Sequence, residues 1–311
     1  MNETQKLSLI KQNTEEILTE ESLKQILKKK IPIAYCGYEI SGPIHLGHFV
    51  TLTKLLDLQK VGFKLKILLA DIHTILNKKK PEIEKWKKSL KAIGIKADFI
   101  LGSDFQFKPE YHLEVMALAQ AITINRGLRS MQMLTRDIKN ATISQIWYPL
   151  MQITDIKHLK VDVALGGLDQ RKIHALGKDL MSTLNYEFTA IHTPLITSLK
   201  GPGQKMSSSI PGSNISITDS KETIERTVAK AYCPEKKSED NPIMQITNLI
   251  LFPHLNKIKV KRPLKFGGDV IYMTYQDLEK DYILGKLHPA DLKNAATDSL
   301  EKLIAPIRKN F

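Results

Sequence analysis

Two histidines and a glycine mark the point where an apolar, helix-like run begins. The stretch EISGPIHLGH places His45 and His48 three residues apart, with Gly47 between them, directly after a turn signal. A helix N-terminus carries unpaired amide donors and the positive end of the helix dipole, so it attracts phosphate. Glycine lets a ligand approach the backbone closely, and imidazoles can donate hydrogen bonds to phosphate oxygens as negative charge develops there. The pattern by itself predicts nucleotidyl transfer.

A second polar stretch, GPGQKMSSS, has the composition of a mobile phosphate-binding loop. Lys205 offers a point positive charge, and the hydroxyls of Ser207, Ser208 and Ser209 can bind phosphate oxygens. Taken alone, the stretch also fits a flexible, hydroxyl-rich linker. Together, the two stretches indicate chemistry at nucleotide phosphates.

Strands that alternate with helices must position these residues. Helices are predicted near residues 47–60, 82–93 and 170–181, and one or two more within residues 3–30. Between them lie short apolar runs typical of buried strands: IPIAYCGYE, FKLKILLAD, ADFILGSD, VDVALGG and TAIHTPLI. This alternation predicts βαβ units and a parallel sheet.

The alternation is interrupted once and then stops. Residues 108–147 are mainly helical in pattern and include the basic segment NRGLRSMQMLTRD, after which a helix is predicted from Tyr148. From about Ser220 onward we expect helices separated by prolines and no further buried strands. The sequence therefore predicts two domains, residues 1–215 and residues 216–311.

Composition favours an ordinary globular protein with an anionic partner. The formal net charge is +13, from 46 Lys and Arg against 33 Asp and Glu, which favours nucleic acid, although lysine runs can also simply solvate exposed faces. Cys36 and Cys233 show no paired metal-ligand spacing, so neither a metal site nor a disulfide framework is expected. Because no signal peptide or membrane span is evident, we expect a cytoplasmic protein.

The two motifs together resemble a known family. HLGH at residues 45–48 resembles the HIGH motif of class I aminoacyl-tRNA synthetases, and KMSSS at residues 205–209 resembles their KMSKS loop. From the N-terminal helix to the final IRKNF, the chain resembles the tyrosyl-tRNA synthetases of the archaeal and eukaryotic type. The stretches that carry this are YCGYEISGPIHLGH, YPLMQITDI, GGLDQRKIH, AYCPE, NPIM, KRPLKFGGD and HPADLKNA. The resemblance implies a Rossmann-like catalytic domain with a helical insertion, followed by a smaller helical anticodon-binding domain.

The resemblance also implies an amino-acid pocket. A site that rejects phenylalanine needs polar groups that bond the phenol hydroxyl and are left unpaired by the wrong substrate, and Tyr35 and Asp155 match the family's pair. Tyr148, Gln152 and Asp155 recur at spacings of four and three, so they share one helix face. By the family pattern, Tyr148, Gln152 and Gln170 surround the substrate's ammonium and Cα, and His73 lies beside the pocket.

For ATP, the resemblance assigns a set of positions along the first domain. These are Gly37 for close backbone approach, His45 and His48 for the phosphates, Gly167 and Asp169 for the ribose, and Lys205 with Ser207, Ser208 and Ser209 for a loop that closes over pyrophosphate. The implied reaction has two steps: tyrosine's carboxylate attacks the α-phosphorus, and a terminal ribose hydroxyl of tRNA then takes the tyrosyl group. Mg²⁺ would accompany ATP, held largely by phosphates and water.

The implied partner is tRNA(Tyr), and the implied assembly is a homodimer. The insertion at residues 108–147 corresponds to the family's dimerisation and acceptor-stem region. The basic candidates for the acceptor stem are Arg126, Arg129 and Lys172, and the anticodon candidates are Phe266, His288 and Asp291. His288-Pro289 also fits a helix N-cap turn, and both roles are compatible.

One departure and two alternatives stay open. IPGSN follows the serines where archaeal relatives commonly have Lys-Gly-Asn; Pro211 could stiffen the loop and the missing lysine could slow activation. A nucleotidyltransferase that adenylylates a small molecule would share the histidine motif but leaves KFGGD and HPADLKNA unexplained. A non-catalytic RNA-binding paralogue would be expected to lose motif residues, yet they are all present.

Overall fold

The computed structural model describes residues 1–132, 142–207 and 210–311. The chain forms two compact units. The first comprises Met1–Ser41, Lys54–Lys87 and Gly94–Pro194, and the second comprises Gly42–Thr53, Lys88–Ile93 and Leu195–Phe311. Within the described ranges, none of the helices combines the length and apolarity needed to cross a membrane.

A six-stranded sheet forms the centre of the first unit. Its strands are β1 (Glu16–Leu18), β2 (Ile33–Tyr38), β3 (Lys64–Leu69), β4 (Ala97–Leu101), β5 (Val163–Gly167) and β6 (Thr189–Thr193), in the order β1-β6-β5-β2-β3-β4. Every neighbouring pair is parallel except β1 with β6, which are antiparallel with Glu16 opposite His192. The predicted parallel sheet is therefore confirmed. The short edge strand β1 lies where only helices were predicted.

The helices of this region connect and cover the strands. They are α1 (Glu3–Lys11), α2 (Glu20–Ile26), α3 (Leu46–Val61), α4 (Asp71–Leu76), α5 (Ile83–Ile93), α6 (Pro109–Gln120), α7 (Ile124–Ser130), α8 (Ile143–His158), α9 (Arg171–Asp179) and α10 (Met181–Leu184). The predicted helix at Tyr148 begins earlier, at Ile143. A capping box between Thr142 and Gln145 starts it there, even though Pro149 lies inside the helix.

Helix α6 of the insertion packs with α8 in one apolar cluster. On α6, Tyr111, Val115 and Leu118 are buried at helical spacing, and they join the same apolar cluster as Leu150 and Ile153 of α8. Residues 133–141 of the predicted insertion lie outside the described residues. The face of α8 that carries the candidate pocket residues is thus fixed by close packing.

A buried lysine ties α1 to α3. The Lys54 side chain is only 2% exposed, and its ammonium donates to the carbonyls of Leu9, Ile10 and Gln12 and lies 3.3 Å from Asp57 Oδ2. These carbonyls belong to the last turn of α1 and the residue beyond it, where the helix itself supplies no donors. Burial lowers the pKa of Lys54, and Asp57 opposes that change. The lysine therefore acts as an internal C-terminal cap.

The second unit is mainly helical after residue 220. Its helices are α11 (Lys221–Lys230), α12 (Pro242–Ile246), α13 (Phe252–Leu255), α14 (Tyr275–Ile283) and α15 (Pro289–Arg308), and a π-helical segment joins α12 to α13. The prediction of no further buried strands is wrong. β7 (Ile258–Val260) and β8 (Val270–Tyr272) pair antiparallel, with Ile258, Val260 and Tyr272 buried. At three residues each, these strands are too short to show a clear alternation.

Candidate active site

A buried carboxylate lies at the centre of the candidate amino-acid pocket in the first unit. Asp155, on α8, is 4% exposed, and its Oδ1 accepts hydrogen bonds from Tyr111 Oη at 2.7 Å and Gln106 Nε2 at 2.9 Å. Burial raises the pKa of Asp155 to about 7, against the opposing effect of these two hydrogen bonds. Among the described residues, nothing donates to its other oxygen, Oδ2. One oxygen is thus held by the protein and the other is available to a ligand.

Tyr35 contributes a second polar group beside this carboxylate. It lies on β2 and is buried, so its pKa is raised by burial and further by Asp155. No described residue is hydrogen-bonded to its hydroxyl. A Cβ placed on Gly37 would lie 2.7 Å from Tyr35 Oη. Gly37 is therefore required by the tyrosine side chain itself, whatever it offers to a nucleotide.

Tyr148 forms the adjoining wall with His73. Their rings stack with centroids 4.1 Å apart and an interplanar angle of 27°. Burial raises the pKa of Tyr148, and Asp155 adds to the effect. Burial lowers the pKa of His73, and nearby Glu39, whose carboxylate lies 4.0 Å from His73 Nε2, opposes this. Both side chains are therefore neutral near pH 7.

Two glutamine amides complete this set. Gln152 Nε2 lies 3.4 Å from His174 Nε2, and the carbonyl oxygens of Gln152 and Gln170 are buried without a hydrogen-bond partner among the described residues. A Cβ on Gly166 would lie 2.9 Å from Gln170 Cβ and 3.2 Å from His174 Cε1. Gly166 therefore makes room for the side chains of Gln170 and His174. The carbonyl oxygens of Gln152 and Gln170 are two acceptors for which the described residues supply no donor.

The candidate ribose-binding residues follow β5 directly. Gly167 is the last residue of that strand, and Asp169 lies in the 3₁₀ turn Leu168–Gln170, partly exposed. Burial raises the pKa of Cys36 to about 12, and the charge of Asp169 adds to this increase. The carboxylate of Asp169 is therefore close enough to act on β2, as a parallel neighbouring strand allows.

The histidine motif lies in the second unit and is held by the backbone. His45 N–H donates to His48 Nδ1 at 3.2 Å, and Gly47 N–H donates to His45 Nδ1 at 3.1 Å. Since both Nδ1 atoms accept, both neutral rings carry their proton on Nε2. Burial lowers the pKa of His45 to about 4, with Lys205 adding to the effect, and burial also lowers that of His48. The pair presents two neutral Nε2–H donors.

Packing around Gly47 explains why the motif needs a glycine. A Cβ at this position would lie 2.8 Å from His45 Cε1 and 3.6 Å from Met206 Cβ. Two backbone hydrogen bonds also hold this turn. Leu46 N–H donates to Ile215 O at 2.9 Å, and Ile217 N–H donates to Ile44 O at 3.0 Å. The imidazole of His45 is consequently fixed on several sides.

The lysine loop is anchored at both ends of its described part. Lys205 is exposed and forms an antiparallel bridge with Thr197. The Ser207 carbonyl accepts hydrogen bonds from Ser213 Oγ at 2.5 Å and Asn214 Nδ2 at 2.9 Å. The unusual IPGSN segment thus supplies two donors that hold the loop. The other two predicted hydroxyls, Ser208 and Ser209, lie outside the described residues.

The acceptor-stem candidates lie together on the first unit. Arg126 and Arg129 are exposed on α7, and Arg126 Nη2 is 2.8 Å from Asp179 Oδ2. Lys172, on α9, donates to Gln132 Oε1. Arg126 and Lys172 thus have side-chain partners on the protein, and Arg129 is exposed.

The anticodon candidates lie in the second unit. Phe266 is exposed, with the Lys265 ammonium 5.0 Å from its ring centroid. His288 caps α15 by accepting from Ala290 N–H at 3.1 Å, so the N-cap interpretation is confirmed. Asp291 lies in the first turn of that helix and is partly exposed.

The residues that support the pocket were not predicted from the sequence. Gln106 and Tyr111 both donate to Asp155, but Tyr111 occurs at core-like spacing with Val115 and Leu118, and so looked structural. His174 was missed as well. Its position four residues after Gln170 was the one available signal.

Across the ranges that the structure describes, no three His, Cys, Asp or Glu side chains are grouped so that they could hold a metal ion. The polar groups of both units are donors and acceptors suited to organic and phosphate ligands.

Comparison with known proteins identifies the family. The family model for tRNA synthetases class I (W and Y) matches residues 27–305. The tyrosine–tRNA ligase of Archaeoglobus fulgidus is 46% identical over 322 residues, covering 100% of this chain and 99% of the relative, and that of Methanopyrus kandleri is 43% identical over 320 residues, covering 99% and 98%. The chain therefore belongs to the class I tRNA synthetase family of the tryptophan and tyrosine enzymes.

Solved structures agree over the whole chain. The crystal structure of tyrosyl-tRNA synthetase complexed with L-tyrosine from Archaeoglobus fulgidus has a TM-score of 0.93 at 45% identity and covers 99% of both chains. The tyrosyl-tRNA synthetase of Aeropyrum pernix has a TM-score of 0.90 at 34% identity, covering 100% of this chain and 95% of that one. The resemblance and the Rossmann-like fold class with a smaller helical part are thus confirmed.

Proposed function

We propose that this chain activates L-tyrosine with ATP and transfers the tyrosyl group to the 3′ end of tRNA(Tyr), releasing AMP and pyrophosphate. The observation that carries this proposal is the buried Asp155 with one oxygen engaged by Tyr111 and Gln106 and the other open beside Tyr35. An acceptor and a hydroxyl so placed suit the phenol hydroxyl of tyrosine, and the apolar ring of phenylalanine would leave both unpaired. The similarity to a synthetase complexed with L-tyrosine supports the same substrate.

The remaining pocket residues have roles that follow from their chemistry. The carbonyl oxygens of Gln152 and Gln170 accept from the substrate's ammonium, since both are buried acceptors without another donor. Tyr148 and the His73 ring stacked on it border the substrate's Cα. All these groups are uncharged near neutral pH except Asp155, so the pocket recognises the ammonium by dipoles.

The nucleotide contacts divide between neutral donors and an exposed cation. His45 and His48 donate from Nε2 to the phosphates, and the exposed Lys205, with Ser207, Ser208 and Ser209, follows the pyrophosphate as it leaves. Gly37 and Gly167 allow close approach of the nucleotide, and Asp169 accepts from ribose hydroxyls.

Two bond exchanges make up the reaction. A carboxylate oxygen of tyrosine attacks the α-phosphorus of ATP, and pyrophosphate leaves with the bonding electrons of the broken P–O bond. The terminal ribose hydroxyl of tRNA then attacks the tyrosyl carbonyl carbon, and AMP leaves. No protein nucleophile is needed, because the adenylate is already activated; the protein positions the groups and stabilises developing charge.

Mg²⁺ enters this scheme as part of the ATP substrate. Its ligands would be largely phosphate oxygens and water, because Mg²⁺ dehydrates reluctantly and usually binds together with substrate phosphates. The whole reaction would run in the cytoplasm, where charged tRNA is used.

tRNA explains the net charge of +13 and the scattered cations. We assign Arg126, Arg129 and Lys172 to the acceptor stem. We assign Phe266, His288 and Asp291 to the anticodon. There an exposed aromatic ring can stack on a base, and a carboxylate can accept a hydrogen bond from a base edge. The boundary between catalytic domain 1–215 and anticodon-binding domain 216–311 belongs to this proposal.

A homodimer is the proposed assembly. The first unit exposes several large apolar side chains near the insertion: Phe107, Leu113, Met116, Ile124 and Ile143. Such a group of exposed apolar side chains is typical of an interface. Ile143→Glu should shift the protein to monomer in sedimentation velocity, whereas Ile31→Glu, which alters another exposed isoleucine, should not.

The test of the function is ATP–pyrophosphate exchange with tyrosine, phenylalanine and tryptophan each supplied alone, followed by charging of tRNA(Tyr). We expect exchange with tyrosine only. No exchange with any of the three would overturn the proposal, and equal exchange with phenylalanine would overturn the role given to Asp155 and Tyr35.

A further inference from the structure

A line of hydrogen-bonded side chains runs from the edge of the sheet to the candidate pocket. Glu16 Oε2 lies 3.0 Å from His192 Nδ1, His192 Nε2 lies 2.9 Å from His174 Nδ1, and His174 Nε2 lies 3.4 Å from Gln152 Nε2. Both histidines are 0% exposed. The first link is set by the pairing of β1 with β6, which places Glu16 directly opposite His192.

The ion pair between Arg171 and Glu16, at the outer end of this line, determines which atom donates and which accepts in each hydrogen bond of the line. Arg171 donates to both oxygens of Glu16, from Nε and Nη2, at 2.8 to 3.0 Å. Although burial opposes it, the arginine lowers the pKa of Glu16, so the carboxylate is ionised and can only accept. The proton between Glu16 and His192 therefore belongs to His192 Nδ1.

The protonation of the two histidine rings determines the directions of the next two hydrogen bonds. Burial lowers the pKa of His192 and lowers that of His174 to about 3, so both rings are neutral and carry one proton each. With its proton on Nδ1, His192 accepts at Nε2, and His174 must donate from its own Nδ1. His174 Nε2 is then an acceptor, and only the NH₂ group of Gln152 can donate to it.

We propose that Glu16, His192 and His174 form a positioning relay that fixes the orientation of the Gln152 amide, so that its carbonyl oxygen, and not its NH₂ group, faces the amino-acid substrate's ammonium. This inference rests on the proposed function. The buried Oε1 of Gln152, which has no partner among the described residues, is the acceptor that the relay leaves free for the ligand. With the amide reversed, its NH₂ group would point at a cation and repel it.

The tautomers of the two histidines test the relay directly in the unaltered protein. Long-range ¹H–¹⁵N spectra of protein labelled with ¹⁵N-histidine distinguish protonated from unprotonated ring nitrogens. We expect both His174 and His192 to be neutral with the proton on Nδ1 at pH 7. A proton on Nε2 of His174 would require the Gln152 oxygen to accept from it, and would overturn the proposal.

Ligands with and without an ammonium group test the consequence. In His174→Phe, tyrosine and tyramine should bind about 10- to 100-fold more weakly, the range for a lost hydrogen bond to a charged group. 3-(4-Hydroxyphenyl)propionate, which lacks the ammonium, should change less than threefold. A merely structural role for His174 would weaken all three ligands alike, and that result would overturn the relay. His158→Phe, which removes another histidine next to the core, is the matched control.

A second variant covers the case in which His174→Phe does not fold. Glu16 lies on the partly exposed edge strand, and Glu16→Ala removes the acceptor that fixes the direction of the relay. We expect the same ligand pattern, with a smaller loss of about 3- to 10-fold for the two ammonium ligands. Unchanged binding would overturn the relay. If the unaltered protein binds no tyrosine, the proposed function itself fails; if it binds tyrosine but the variants lose all ligands equally, only the relay fails.

Discussion

The hydrogen bond from Tyr111 to Asp155 should set the pH at which the protein distinguishes tyrosine from phenylalanine. Burial raises the pKa of Asp155 to about 7, so the carboxylate becomes ionised only as the pH rises through neutrality. An ionised Asp155 accepts strongly from the substrate's phenol hydroxyl and is left unpaired by phenylalanine. Discrimination, the ratio of kcat/KM for tyrosine to that for phenylalanine, should therefore increase with pH between 6 and 8.5, with its midpoint near 7.

Tyr111→Phe removes the 2.7 Å hydrogen bond and leaves the ring in place. A hydrogen bond to a charged group contributes about 1.5–3 kcal/mol, and this one stabilises only the ionised form of Asp155. At about 1.4 kcal/mol for each pH unit, its loss should move the midpoint upward by about 1 to 2 pH units. At pH 7 the ionised fraction then falls, and discrimination should fall about tenfold.

The assay is ATP–pyrophosphate exchange with each amino acid from pH 6 to 8.5. The ratio of the two substrates cancels every pH effect that does not concern the hydroxyl. Tyr186→Phe is the matched control, because Tyr186 Oη donates to the Val161 carbonyl at 2.9 Å and does not contact Asp155. An unchanged midpoint in Tyr111→Phe, or a ratio that is flat with pH in the unaltered protein, would refute the reasoning.

Three further changes test other parts of the structure. Asp155→Asn should abolish the discrimination between tyrosine and phenylalanine yet stabilise the protein. Since the pKa of Asp155 is about 7 in the folded protein and ordinarily 3.8, its carboxylate destabilises the fold by about 4 kcal/mol above pH 7 and not at all below about pH 4. In urea unfolding at pH 8, the variant should therefore be the more stable protein. Gly47→Ala, whose Cβ would lie 2.8 Å from His45 Cε1, should lower kcat for exchange at least tenfold with KM for tyrosine unchanged. Lys54→Met should cost about 2–4 kcal/mol in urea unfolding, because several buried acceptors lose their donor.

The sequence predicts the long strands well and the short ones poorly, for a physical reason. Most residues of β2, β3 and β5 are buried, so apolar residues dominate each strand, although Lys64 and Lys66 interrupt the apolar run of β3. β1, β7 and β8 have three residues each. Moreover, β1 exists only because Glu16 and Leu18 pair with residues far away on β6, and such pairing leaves no mark in the local pattern.

The candidate site was also predictable only in part: the residues that share one helix could be grouped, and those joined by distant contacts could not. Tyr148, Gln152 and Asp155 could be grouped from their spacing, since a helix brings such residues to one face, and α8 carries all three. The residues that hydrogen-bond to Asp155 and to the histidines of the relay could not be grouped with them from the sequence. The hydrogen bonds from Gln106 and Tyr111 to Asp155 cross 49 and 44 residues of chain, and that between Glu16 and His192 crosses 176. Contacts between residues so far apart in the chain leave no local pattern, so in the sequence these residues look like ordinary core or surface residues.

The protonation of the histidine motif leads to a last expectation about ATP. Backbone N–H groups occupy Nδ1 of His45 and His48, and burial lowers the pKa of His45 to about 4 and that of His48 well below its ordinary value, so both rings are neutral near neutral pH. Their Nε2–H donors are then the same at pH 6 and pH 8.5, and the positive charge offered to the phosphates comes from Lys205. KM for ATP should consequently stay within about twofold over this range, while discrimination between tyrosine and phenylalanine changes with Asp155. A KM for ATP that falls several-fold as the pH drops from 7 to 6 would mean that an imidazole becomes cationic there, and the neutral-donor role of the two histidines would be wrong.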